Sequence, residues 1–345
     1  MERSTPYTDD RFRGYSGIIS GTIENLTPLF IGAQSSGVFH PPLRRAGKQV
    51  IPGSSLKGLL RSLAEIVGGG CAVVQDPKSP IPRNLVACSH VNQLCIACRM
   101  FGAMERHRNA RVHKGKVAIG DAEIQEDHIQ TKPLQVLLSN NGVRHEPFYR
   151  TAGTGNCDGR SRKLYFHQPA RRESTPAIPQ NIQDRAWNID ALLPGHHFDF
   201  DIQFTSLSDD ELSLLLYVLC LEPDIAVALG DDKLKLRGPM RHKIGNAKPA
   251  GLGSCRIDLH TMLVFPPPRE RFKTMTKAGN RKLQGEELEC DIRDRIARHV
   301  ADQSPTMQAL RKMMVWDEND QREFHYPDYH WFKAVENNQT PLKPL

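Results

Sequence analysis

The order of its periodic segments constrains this chain more than any other feature. Residues 16–31, SGIISGTIENLTPLFI, are rich in β-branched side chains and predict a strand. After a loop of Gly, Ser and Pro comes IPGSSLKGLLRSLAEIVGGG, where Leu56, Leu59, Leu60, Leu63, Ile66 and Val67 recur at helical spacing. Ser54 or Ser55 is placed to cap this helix and Gly68 to Gly70 to end it; its polar face carries Lys57 and Arg61. Lys116 to Ile124 (KVAIGDAEI) and Phe198 to Phe204 (FDFDIQF) alternate as strands do. Ser208 then caps an apolar helix running to Leu221, with acids in the first turn, where the macrodipole favours them. Arg256 to Phe265 predicts another strand, and Pro266 to Pro268 breaks the chain after it. Strand, helix, strand, strand, helix, strand is the order of a ferredoxin-like α+β sandwich, the plan RRM domains also use.

Two stretches interrupt that plan. Residues 71–113 lack periodicity and hold four cysteines, and residues 140–185 are polar and basic. Both are expected to be insertions into one domain of residues 1–265. Beyond it, 266–345 reads as a charged C-terminal extension with helices near 285–301 and 306–315.

Charge narrows the function classes. The formal net charge is +7 and the pI about 9.0, a balance that favours an acidic partner, nucleic acid above all. The distribution says more than the total. Between Lys233 and Arg256 there is no acid among seven Lys and Arg, and between Arg144 and Arg172 seven stand against Glu146 and Asp158. Both runs are mixed with glycine and turn residues, as loops lying against a phosphate backbone require. No 18-residue apolar run exists and the first residues lack an apolar signal core, so neither a membrane span nor a secretory signal is expected, and a cytoplasmic protein is. Eight cysteines in such a compartment argue against a disulfide framework.

Two short motifs suit phosphate. In Gly53-Ser54-Ser55-Leu56-Lys57-Gly58, small residues, two hydroxyls, a lysine and the open amides of a helix start can meet an anion together. An ordinary Ser-capped helix satisfies the same pattern, and the spacing is not that of a P-loop. In Lys248-Pro249-Ala250-Gly251-Leu252-Gly253-Ser254, a glycine pair follows a basic run and leads into a strand; a tight turn is the plainer reading.

Together these motifs resemble the RAMP superfamily proteins of type III CRISPR effectors. LFIG followed by IPGSSLKGLLRS resembles the family's opening. CIACRMFG with GKVAIGDAEI resembles its Cys-rich insert and next strand. GRSRKLYFH (159–167) and KPAGLGSCRI (248–257) resemble its later basic motif and glycine-rich loop. The likeness spans roughly residues 14–258, and nothing after 266 shares in it. It implies a RAMP fold of the RRM-like kind, and a subunit that stacks with other RAMP-type and large subunits along a CRISPR guide RNA. Such subunits grip the sugar-phosphate backbone and insert a thumb-like hairpin that kinks the guide–target duplex. Carried over, Ser54, Ser55, Lys57 and Arg61 contact guide phosphates. Gly251 and Gly253, with Lys248, line the same groove, and Arg160, Arg162 and Lys163 face guide or target RNA.

In cleaving relatives an aspartate precedes the helix. Here no Asp or Glu lies between Ile31 and Arg61, and Phe39 and His40 occupy the expected position. A noncatalytic subunit is therefore the primary reading. The alternative is an RNase acting on target RNA or guide precursor through His40, whose ordinary pKa suits proton transfer, or through another residue. A third reading is a zinc scaffold whose basic loops bind some other anion. Cys95 and Cys98 form a CxxC that offers two ligands from one turn, Cys88 adds a third, and Cys71 or His90 supplies the fourth for tetrahedral zinc. Four protein ligands leave no open position, so the expected role is structural.

Overall fold

The computed structural model describes residues 2–7, 13–33, 39–72, 85–105, 109–137, 145, 147, 163–172, 174–178, 180, 183, 186–230, 234–266, 270, 279–324, 327 and 329–340. The elements run β1 (Tyr15–Asn25), β2 (Phe39–His40), β3 (Arg44–Arg45), β4 (Lys48–Ile51), α1 (Gly53–Val67), α2 (Ile96–Phe101), β5 (Ala103–Met104) and β6 (Val112–His113). They continue with β7 (Val117–Ile119), β8 (Ala122–Ile124), β9 (Thr131–Val136), β10 (Trp187–Leu192), β11 (His197–Leu207), α3 (Asp209–Cys220), β12 (Ile225–Leu229) and β13 (Leu234–Gly238). The last are β14 (His242–Lys243), β15 (Ser254–Val264), β16 (Arg281–Gln284), α4 (Gly285–Val300), α5 (Pro305–Met314) and the short α6 (Tyr329–Lys333).

A nine-stranded sheet in the order β14-β15-β1-β11-β8-β4-β3, with β16 on β15 and β7 on β11, forms the frame. Its pairings are antiparallel, and helices join it to make the α+β fold expected from the order of segments. β1 is central because both its neighbours are long strands with partners along nearly its whole length. Isoleucines 19 and 23 are buried at 0% and 1% exposure, while Ser20 bonds Asp201 across the sheet. The predicted strand stops early, at Asn25. There the side-chain amide donates to the carbonyls of Thr27 and Leu193 and its oxygen accepts from the His196 amide, which turns the chain out of the ladder.

The helix α1 buries Leu56, Leu60, Leu63 and Ala64, the stripe its periodicity predicts. Its start is a correction. Neither serine caps it; Pro52 stands at the N-cap, and the Gly53 amide donates to Asp121 Oδ1 at 2.9 Å. The predicted strand 116–124 breaks into β7 and β8 at the same place, where Gly120 and Asp121 turn toward that helix. By contrast α3 begins as predicted, with Ser208 and Glu211 forming a reciprocal capping box. Glu211 also accepts from Lys116 Nζ at 2.9 Å and Arg99 Nε at 2.7 Å, so one buried carboxylate ties α3 to β7 and α2.

The stretch 71–113 is less irregular than expected, since it contains α2 and the β5–β6 hairpin. Most of 140–185 lies outside the described residues. The helices near 285–300 and 305–314 stand where predicted. They bury Leu288, Ile296, Met307, Leu310 and Met314 in the same apolar cluster as the main sheet. Arg311 there donates to Glu222, which also accepts from the Tyr217 hydroxyl at 2.7 Å. A second, smaller core joins a three-stranded sheet, β2-β10-β9, to the glycine loop through Phe30, Ile189, Ala247, Ala250 and Leu252.

Candidate metal centre and nucleic-acid interface

The sulfurs of Cys71, Cys88, Cys95 and Cys98 are buried and all lie within 4.8 Å of one another. Cys71 follows the glycine end of α1, and Cys95 and Cys98 sit at the start of α2. Bonds of about 2.3 Å to a tetrahedral ion would set sulfurs roughly 3.8 Å apart. Cys71 stands 3.5 Å from Cys98 and 3.7 Å from Cys95. His90 is exposed and outside the group.

The surroundings favour the thiolate at Cys88 and Cys95. The Cys71 amide donates to Cys95 Sγ at 3.4 Å and the Cys95 amide to Cys88 Sγ at 3.3 Å. Hydrogen bonds from the other three cysteines hold the Cys95 thiol well below its ordinary range. The bond with Cys71 is the chief cause that lowers Cys88 to about 7, and Cys71 and Cys98 are pushed up as the donors. Arg61 completes the shell. It donates to Cys98 Sγ at 3.3 Å, to the Gly102 carbonyl at 2.9 Å and to Glu65 at 3.0 Å. The donor set and its cationic neighbour fit a dication that takes four soft ligands and leaves no open position.

This placement departs from the expectation for Arg61, which turns inward to the sulfurs rather than out to a phosphate. Its neighbours on α1 differ. Ser54 is exposed, Ser55 and Lys57 are half-buried, and Lys57 is lowered first by burial and then by the Arg61 charge. Gly53 is held so close to β7 that a Cβ would stand 2.2 Å from the Ile119 carbonyl oxygen. Arg45 pairs with the same Asp121 that receives the Gly53 amide, so a carboxylate and an exposed arginine flank the helix start. Asp121, downstream of the motif in sequence, thus reaches the helix start in space.

The glycine loop stands at the opposite side of the sheet, between β14 and β15. Gly251 and Gly253 hold φ of +95° and +82°. At Gly253 a Cβ would meet the Ile244 carbonyl oxygen at 1.8 Å, so only glycine lets the chain pass. The segment after β1 clamps the loop: Gly253 N–H donates to the Pro28 carbonyl, Asn246 N–H to that of Phe30, and Ser254 N–H to the Thr27 hydroxyl. From the predicted basic motif, His167 bonds Ser254 Oγ at 2.8 Å and Gln168 donates to the Pro249 carbonyl. Lys163 is exposed, its ammonium 5.5 Å from the Tyr165 ring; Arg160 and Arg162 lie outside the described residues.

Cations under this loop make no direct ion pair among the described residues, although Asp258 and Glu24 act on Arg241 through space. Lys243 donates only to the Gly251 carbonyl and Ser254 Oγ, and burial pushes it down to about 7. Lys248 donates to the Gly245 carbonyl and is lowered by burial too. Arg241, lowered first by burial and then by the Arg256 charge, leaves its buried Nε without a hydrogen-bond partner. Among the described residues no carboxylate forms an ion pair with Lys243, Lys248 or Arg241. An anion laid on the loop would supply the missing charge. Lys243 and Arg241 were missed in the sequence, where the acid-free run Lys233–Arg256 was the available signal.

His40 is not placed as a base. Its ring lies buried against Trp187, with centroids 3.5 Å apart and planes within 10°. No helix is long and apolar enough to cross a membrane among the described residues. In comparisons with known proteins, no curated protein matches the chain. A family model described as the RAMP superfamily matches residues 22–235, well over half of it.

Proposed function

Because the chain belongs to the RAMP superfamily, we propose that it is a guide-RNA-binding structural subunit of a type III CRISPR effector complex. Its partners in this reading are the CRISPR guide RNA, the target RNA pairing with it, and other RAMP-type and large subunits. The observation that carries the reading is the set of half-buried cations beneath the glycine loop that form no ion pair among the described residues. A small anion could satisfy that loop alone. The Ser54–Lys57 helix start, however, follows β4, which is four strands away from β15 in the sheet. Four strand spacings make a path of roughly 19 Å along the sheet between β15 and β4, a span that suits a polyanion better than a single phosphate.

In this reading Ser54, Ser55, Lys57, Lys243, Lys248, Gly251 and Gly253 hold guide phosphates, with Arg160, Arg162 and Lys163 extending the track. Arg61 acts from behind, fixing α1 to the cysteine cluster. Zinc is the proposed occupant of that cluster and holds the insert onto α1. The proposed domain covers residues 1–265, and 266–345 is an extension whose described helices share the main core. The subunit is read as noncatalytic. His40 is stacked and buried, and Asp121 is engaged by Arg45 and the Gly53 amide.

Purification of the chain with its native partners, followed by sequencing of the RNA that remains bound, tests this. RNA of discrete length sharing a repeat-derived end is expected. A complex that holds no such RNA would sink the proposal.

A further inference from the structure

The three-stranded sheet has two unlike faces. Ile189 and Ala191 alternate onto the inner face and close the second core, and on the same face the partly exposed Trp187 stacks on His40. On the outer face, pairing brings Phe39, Asn188 and Gln135 into one row across the three strands. Phe39 is 54% exposed, unusual for a phenylalanine held in a ladder. Next to it the Gln135 amide donates to Asn188 Oδ1 at 3.0 Å, which locks the two amides edge to edge. That bond leaves the Asn188 amino group and the Gln135 oxygen as a donor and an acceptor at the surface. Asp190 lies two residues along β10 on the same face, opposite Pro133.

We propose that this row binds one unpaired nucleobase of the bound RNA, with Phe39 as the stacking surface and Asn188 and Gln135 reading the base edge. The inference rests on the RNA-binding reading above and adds a base-contacting site to its backbone contacts. An aromatic ring beside fixed amides on an open sheet is the chemistry by which single-stranded bases are held, because stacking needs a π-face and the edge needs paired donors and acceptors. A protein partner with an aliphatic face fits poorly: it would cover Phe39 but bury the amides and Asp190 without partners, a cost for each. Asp190 repels phosphate and accepts from a base amino group, so the base and not the backbone belongs over this face. The backbone has its own cations nearby in sequence, Arg44 and Arg45, both exposed on the hairpin that follows β2.

The test uses the full chain, a single-stranded RNA oligonucleotide, and a series of the same oligonucleotide with one abasic position each, read by fluorescence anisotropy. Phe39→Ala should weaken binding of the intact RNA by about 5- to 150-fold, the loss expected for one stacked base. One abasic position should cost the wild type as much and cost Phe39→Ala nothing more. Phe39→Tyr should bind as the wild type does, and circular dichroism should show all variants folded. If Phe39→Ala binds intact RNA as tightly as the wild type, the platform is disproved and the RNA-binding reading stands. If the wild type binds no RNA, the reading beneath fails and takes this inference with it. If Phe39→Ala alters only self-association in sedimentation, the face is a contact between copies and the proposal is overturned.

Discussion

The cysteine cluster and the glycine loop both bury charged groups, yet they treat charge in opposite ways. Around the cysteines every charge meets its complement inside the protein: backbone amides and the Arg61 guanidinium point at the sulfurs. Beneath the glycine loop, Lys243, Lys248 and Arg241 are partly desolvated and meet carbonyls or a hydroxyl but no ion-pair partner among the described residues, and Arg241 Nε is left unbonded. A region whose charge closes on itself stabilises the fold. A region left with unanswered cations is destabilised until an anion arrives, and is therefore where a ligand acts.

The largest expected effect breaks the closed side. Replacing Cys95 and Cys98 together with Ser should abolish metal binding and cost several kcal/mol of stability, since structural metal binding contributes directly to folding. Elemental analysis of the wild type should give about one zinc per chain. Wild-type protein purified without chelator that holds no metal would remove the closed side of the comparison.

Arg61→Ala comes next. It takes a hydrogen-bonded charge from the half-buried shell, a loss of about 2 kcal/mol by the usual worth of charged hydrogen bonds. Metal should leave faster into a chelator, while the salt dependence of RNA binding stays as it was. A reduced salt slope would return Arg61 to the phosphate track.

On the open side, pH provides the probe. Lys243 has its pKa lowered from 10.5 to about 7. The unfolded chain thus binds more protons between those values, and this residue's contribution to stability rises with pH across that window and is lost as pH falls toward 7. RNA binding has the opposite sign. The anion favours charged Lys243, so binding takes up a proton above pH 7, and affinity should fall by up to about tenfold per unit as pH rises. Lys243→Met should weaken binding and flatten this dependence; a pH profile unchanged by the substitution would argue that no anion sits against Lys243. The smallest effect is expected from Lys57→Ala, which should reduce the log-log salt slope by about one.

Legibility followed the same division. Local pattern revealed α1 from its leucine spacing, α3 from Ser208 and Glu211, and the need for glycine at 251 and 253. The four cysteines were legible as a cluster because two of them share one helical turn. What depends on tertiary direction was not. Arg61 lies on the polar face of α1, and only the approach of α2 turns it toward Cys98. Asp121 accepts from the Gly53 amide at the start of α1 from the β7–β8 turn, which the cap preference of Ser54 and Ser55 could not foretell. The row of Phe39, Asn188 and Gln135 depends on cross-strand register between segments far apart in the chain. That the C-terminal helices enter the main core rests on apolar contacts with distant segments, beside the buried Arg311–Glu222 pair, and neither is visible as a pattern in one segment.

The measurement that bears most directly on RNA binding at the open region is a map of photo-crosslinks between bound RNA and the chain. RNA carrying 4-thiouridine, crosslinked in the intact complex and analysed by mass spectrometry, should mark peptides spanning 241–256 and 53–57. The cysteine-bearing peptides of 85–105 should stay unmarked. Crosslinks concentrated on that insert, with none on the glycine loop while RNA is bound, would contradict the account.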